Sequence, residues 1–186
     1  KYSWQDWQDK TERDYSFLRN NSDEVSIVGF SMGGDLALNI AKKYDVDNVI
    51  IINAPYDIET KFVRFVPIIS LVQRYHIKSF FADEDSIDIL KEMKVYQVIP
   101  MRSINQMLEL VEFTRINLND IKEPVLIIQA EKDNLVDPTG SYFIYNGIRS
   151  EKKKIIILEN SSHIIFSNRD KAIIKKEIIN YLNNET

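Results

Sequence analysis

One hexapeptide restricts the folding of this chain more than any other stretch: Gly29-Phe30-Ser31-Met32-Gly33-Gly34. The chain has only 5 glycines in 186 residues, and three of them lie here around one serine. Immediately before it, Val25, Ile27 and Val28 form a short β-branched run, the mark of a strand buried on both faces. After it, from Gly33 to about Tyr44, the apolar residues Leu36, Leu38, Ile40 and Ala41 take up a helical pattern. The serine therefore sits where a buried strand must turn abruptly into a helix. Glycine on either side gives the backbone room for that turn. A helix starting near Met32 aims its first N–H groups and the positive end of its dipole at the serine.

The rest of the chain repeats the same units. Val49–Ile52, Val125–Ile128 and Ile155–Leu158 are three further buried runs. Helical patterns cover roughly 4–20, where Trp4, Trp7, Thr11, Tyr15 and Leu18 recur, and also 139–148 and 169–183. Alternation of strand and helix predicts an α/β fold, a parallel sheet flanked by helices. More than 70 residues separate the run at 49–52 from that at 125–128. A compact domain does not carry so long a bare loop, so the interval should hold structure of its own. It has an apolar stretch from Phe62 to Ile77 broken by Pro67, a helical face of Ile87, Leu90 and Met93 within 85–97, and a third helix. Ser103 with Gln106 reads as a capping box opening that third helix, which uses Ile104, Met107, Leu108 and Val111. The expected organisation is a core of residues 1–55 and 119–186 with a helical cap at 56–118.

Gly29-Phe30-Ser31-Met32-Gly33 also fits G-x-S-x-G. At this chain's own glycine and serine frequencies a chance match is on the order of 1%, so the pattern is a signal. A serine hydroxyl needs a base to act as a nucleophile, and there are only 2 histidines. His76 lies in the apolar part of the interval and reads as packing or as a pocket wall. His163 follows the last buried run after Glu159-Asn160-Ser161-Ser162, a loop that can lean over the sheet edge where the serine is exposed. The base needs a carboxylate to fix its tautomer. Glu131, Asp133 and Asp137 all follow the run at 125–128. Asp133 sits in the tight turn just past the strand, whereas Asp137 precedes Pro138 and suits a helix cap. The chain order Ser31, Asp133, His163 is that of an α/β-hydrolase.

Composition bounds the alternatives. A net charge of −4 does not suggest nucleic acid as a partner. With no cysteine there is no disulfide framework, thiolate chemistry or cysteine zinc site. That fits a reducing compartment, and a cytoplasmic location is the expectation. No apolar run approaches the roughly 20 residues of a membrane helix. The chain opens at Lys1 rather than Met, so a targeting signal cannot be read.

GFSMGG, VLIIQAEKDNLVDPTGS and the NSSH after a strand together resemble the α/β-hydrolase superfamily, more narrowly the small bacterial carboxylesterases and monoacylglycerol lipases. The opening SWQDWQD and SIVGFSMGG are similar to the region before the serine in those esterases, so the resemblance spans essentially the whole chain and is weakest in the cap. It implies Ser31 as nucleophile, Asp133 as acid, His163 as base and the Met32 backbone N–H as an oxyanion donor, with no metal or organic cofactor. The chain departs from the family pattern at Ser162 and Ala130, where glycine is usual. The family also draws a second oxyanion donor from a loop after an early strand, typically in an H-G motif. Here the histidines read His76-Ile77 and His163-Ile164, and no strand pair precedes the helix at 4–20. The resemblance thus implies an N-terminally truncated domain, its first strands and second oxyanion donor upstream of Lys1. The strand before Ser31 would be left as an edge open to association, including homo-oligomers. The implied activity is hydrolysis of short- to medium-chain acyl esters or monoacylglycerols, with Phe62, Phe65, Ile68 and Ile69 read either as the lining of the acyl pocket or as ordinary cap core. A thioesterase or acyltransferase on the same residues, or an inactive fragment, are the alternatives.

Overall fold

The four apolar runs assemble side by side. The computed structural model describes residues 2–57, 75–77, 98–165 and 168–183. In chain order the elements are α1 (Trp4–Arg19), β1 (Ser26–Phe30), α2 (Met32–Lys43), β2 (Asn48–Ile52), β3 (Tyr75–Ile77), β4 (Val98–Pro100), α3 (Met101–Ile116), β5 (Val125–Ala130), α4 (Gly140–Gly147), β6 (Lys153–Leu158) and α5 (Asn168–Leu182). Strands β1, β2, β5 and β6 form one all-parallel sheet in the order β1-β2-β5-β6. The register sets Phe30 beside Ile52, Ile52 beside Ile128, and Ile128 beside Ile156. The carboxyl ends of β1 and β2 therefore stop at one level, β5 and β6 run two residues further, to Ala130 and Leu158, and the loops that leave the four strands share one edge. The helices and strands expected around the serine and in the carboxyl-terminal half all form, within a residue or two of the expected bounds. The chain has the α/β-hydrolase fold.

Strand alternation divides the core into two layers. Val49, Ile51, Val125 and Ile127 face a cluster built with Tyr15 of α1, Ala37, Leu38, Ile40 and Ala41 of α2, and Ile144 of α4. Ile50, Ile52, Leu126, Ile128 and Leu158 face the opposite cluster with Ile165, Ile174 and Tyr181. The inner strands are apolar at nearly every position because both faces are covered. Burying each of these isoleucines contributes about 1.5–3 kcal/mol.

The long interval is not wholly helical where it is described. β3 and β4 pair antiparallel, with His76 opposite Ile99. Tyr75, Ile77, Val98 and Ile99 are aromatic and β-branched residues that suit a pleated ribbon better than a helix. The expected helix at 85–97 and the proposed pocket residues Phe62, Phe65, Ile68 and Ile69 lie outside the described residues. The third helix exists, but its start differs from the capping-box reading. α3 begins at Met101, behind Pro100, whose φ of −60° and ψ of 130° end the extended segment. Ser103 is thus already inside the helix. Gln106 serves a long-range contact instead: its Oε1 accepts the Trp4 backbone N–H at 2.9 Å, tying α3 to α1. Among the described residues no helix is long and apolar enough to cross a membrane.

Candidate active site

Ser31 ends β1 and precedes the first turn of α2, with φ 53° and ψ −129°. That left-handed backbone is strained for a side-chain-bearing residue, costing on the order of 1–3 kcal/mol. The surroundings hold it there. The Ser31 N–H donates to the Ile52 carbonyl at 2.8 Å, and the Ser31 carbonyl accepts the Gly34 N–H at 2.8 Å. The glycines divide their labour in a way the motif does not reveal. A Cβ at Gly29 would lie 2.7 Å from the Gly34 Cα and against the Gly33 carbonyl, so only glycine fits under the turn. A Cβ at Gly34 would lie 2.5 Å from the Ala54 Cβ, where α2 crosses the end of β2. At Gly33 a Cβ would meet nothing within 4 Å. The expectation that glycine on either side of the serine makes room for the turn is therefore corrected at Gly33: the crowded positions are Gly29 and Gly34.

His163 reaches this turn from the loop after β6. Its Nε2 stands 3.2 Å from the Ser31 Oγ. Its Nδ1 stands 2.7 Å from Asp133 Oδ2. The Asp133 side chain has no exposed surface and that of His163 only 7%. A carboxylate can only accept, so it fixes the proton on Nδ1, and Nε2 is left to accept from the serine hydroxyl. The other Asp133 oxygen, Oδ1, accepts the backbone N–H groups of Leu135 and Val136, both at 2.9 Å. These bonds hold the carboxylate in one orientation. The Phe30 ring lies 5.2 Å from the imidazole, centroid to centroid, and shields one face of it.

The other candidates fall elsewhere. Glu131 is exposed, and its backbone N–H continues the β5–β6 ladder to the Leu158 carbonyl. Asp137 Oδ1 accepts the N–H and the hydroxyl of Thr139, so it shapes the turn into α4. Met32 opens α2, and the N–H groups of a first helical turn have no partner within the helix. His76 lies on β3. Among the described residues no group of three or more His, Asp or Glu is placed to hold a metal ion. A cleft of about 550 Å³ opens beside the acid loop, between Tyr56, Arg115, Leu135 and Phe143, with Asp133 among its lining residues.

Several supporting residues carry no motif. Gln129 Nε2 donates to the Ala130 carbonyl at 3.0 Å and approaches Asp133 Oδ2 at 3.5 Å. Ser161 Oγ donates to Asp170 Oδ1 at 2.7 Å, with both residues buried, and so binds the histidine loop to the start of α5. Asn53 is the second described non-glycine residue with positive φ, at 48°, and it is completely buried. One turn beyond Ser31, Asp35 is buried between α2 and Thr114 of α3, and neither carboxyl oxygen completes a hydrogen bond. Burial pushes its pKa well above the usual carboxyl range.

The chain is similar to proteins already known. The family model described as serine aminopeptidase, S33 matches residues 4–170. A thermostable monoacylglycerol lipase of Bacillus sp. (strain H-257) is 30% identical over 173 residues, covering 92% of this chain and 68% of that protein. A carboxylesterase of Bacillus subtilis (strain 168) is 22% identical over 179 residues, covering 96% of this chain and 72% of that protein. Among solved structures, one described under LipS and LipT, two metagenome-derived lipolytic enzymes, superimposes with a TM-score of 0.86 at 24% identity, over 98% of this chain and 74% of that one.

Proposed function

Because the chain belongs to the serine aminopeptidase S33 family and carries the α/β-hydrolase fold, we propose that it is a serine carboxylesterase acting on short- to medium-chain acyl esters or monoacylglycerols. One observation carries the reading: the unbroken line from the Asp133 carboxylate through the His163 imidazole to the Ser31 hydroxyl, at 2.7 and 3.2 Å. Ser31 Oγ attacks the ester carbonyl while His163 Nε2 takes its proton. Asp133 stabilises the resulting imidazolium. The Met32 N–H, aided by the helix dipole, donates to the developing oxyanion. Collapse expels the alcohol, which His163 protonates. Water activated by the same histidine then hydrolyses the acyl-enzyme and restores Ser31. The three residues and Met32 act through this chain's own groups and call for no cofactor.

The family description names peptide chemistry, yet the triad does not report the leaving group. Ester substrates are favoured by the two sequence relatives, one a carboxylesterase and one a monoacylglycerol lipase. A series of chromogenic acyl esters of increasing chain length, run with Ser31→Ala alongside, tests the reading. Turnover of the shorter esters by the chain and its loss in Ser31→Ala is the expected result. Equal turnover by the variant would sink the assignment.

A further inference from the structure

The residue just past β2 is tied to two of the three loops that carry the reacting groups. Asn53 Nδ2 donates to the His163 backbone carbonyl at 2.9 Å. Asn53 Oδ1 accepts the Ala130 N–H at 2.8 Å, at the end of β5 and three residues before Asp133. The Asn53 backbone N–H donates to the Ile128 carbonyl at 2.9 Å. Its neighbour Ile52 accepts the Ser31 N–H. Residues 52 and 53 thus touch the serine turn, the acid strand and the histidine loop together. We propose that Asn53 is a positioning residue that sets the His163 imidazole against both Ser31 and Asp133. This rests on the serine-hydrolase reading of the site.

The chemistry of the side chain supports the assignment. The bonds cross between elements 77 and 110 residues apart in sequence, so they fix tertiary geometry and not a local turn. One bond needs a donor and the other an acceptor, and among short uncharged side chains only the asparagine amide places the two on separate atoms of one planar group, whereas a serine or threonine hydroxyl must serve both from a single oxygen. Asparagine also tolerates the left-handed φ of 48° better than most residues. A leucine would leave a buried carbonyl and a buried N–H without partners. An ionised carboxylate would set a negative charge against the His163 carbonyl. The Ile165 N–H also reaches that carbonyl, but at 3.2 Å and from within the same loop, so it cannot locate the loop relative to the sheet.

Two variants and two readouts test it in this chain. Asn53→Gly keeps the left-handed backbone and deletes only the amide. Its kcat on a chromogenic ester should fall roughly 10–100-fold, with KM changed less than about threefold, because the loss is in alignment and not in substrate binding. Asn53→Asp regains both bonds only when protonated, so its kcat relative to the unmodified chain should rise as pH is lowered. A folded Asn53→Gly with kcat within about threefold of the unmodified chain would overturn the proposal. If that variant does not fold, an Asn53→Asp pH profile parallel to the unmodified one would overturn it instead. The low-field imidazole proton of His163 in the NMR spectrum gives a readout free of turnover. It should shift or broaden in Asn53→Gly, and an unchanged signal would count against the role of Asn53. Should the unmodified chain and Ser31→Ala hydrolyse esters equally, the hydrolase reading fails, and this resonance still decides whether Asn53 places the imidazole.

Discussion

Ser31 combines a strained backbone with a hydroxyl aligned on His163, and the two properties are linked. The φ of 53° is what lifts the side chain off the end of β1 toward the imidazole. Replacing the residue separates the terms. Ser31→Gly should abolish ester hydrolysis and raise the melting temperature, with a gain on the order of 1 kcal/mol from relief of strain. A melting temperature that falls would mean the turn is held by side-chain contacts instead. The serine, the histidine and the acid were legible in the sequence because each follows an apolar run and because few alternatives exist for the base, although the run before the serine, expected to be buried on both faces, forms a strand with Val28 exposed. Asn53 was not legible. A lone asparagine after a strand reads as an ordinary turn residue, and its partners, Ala130 and His163, lie far along the chain. Nothing in local spacing brings them together.

Among the elements, α2 depends most on its glycines. Gly34 meets Ala54 and Gly29 meets the backbone of Gly33 and Gly34, while Gly33 faces open space. Gly34→Ala should therefore destabilise the fold by roughly 1–3 kcal/mol through overpacking. Gly33→Ala should be neutral or stabilising by up to about 1 kcal/mol, since alanine is the better helix former. Urea unfolding of the pair distinguishes them, and equal losses would contradict the contact geometry. The motif alone could not separate these positions, because it records which residues are small and not which ones are crowded. The start of α3 was misread for a related reason. Ser103 and Gln106 have capping-box spacing, but Pro100 sets the boundary and Gln106 is engaged by the Trp4 N–H. The β3–β4 ribbon escaped because its strands are three residues each, too short for a periodicity to show.

For the molecule as a whole, the parallel sheet was the most legible feature, since four runs of β-branched residues have few other uses in a chain this size. Tertiary burial was the least. Asp35 lies on the apolar side of α2, against Thr114 of α3, with no ionic partner among the described residues. Burial raises its folded pKa well above the ordinary carboxyl value, so the folded chain retains a proton that the unfolded chain releases. Stability from this group is therefore lost as pH rises above that value toward the raised folded pKa, and it is not regained at neutral pH. Asp35→Asn should stabilise the chain at neutral pH, by on the order of 1 kcal/mol, and flatten the dependence of unfolding free energy on pH. Urea titrations across the acidic-to-neutral range check the sign, and a variant less stable at neutral pH would show that the carboxyl is satisfied after all. The central claim is narrower: Ser31 is a nucleophile activated by His163. Covalent labelling with a fluorophosphonate, with the modified peptide located by mass spectrometry, tests it most directly. The account predicts a single adduct on Ser31, lost in Ser31→Ala and strongly slowed in His163→Ala. An unlabelled Ser31 in the folded chain, or labelling that survives in Ser31→Ala, would contradict it.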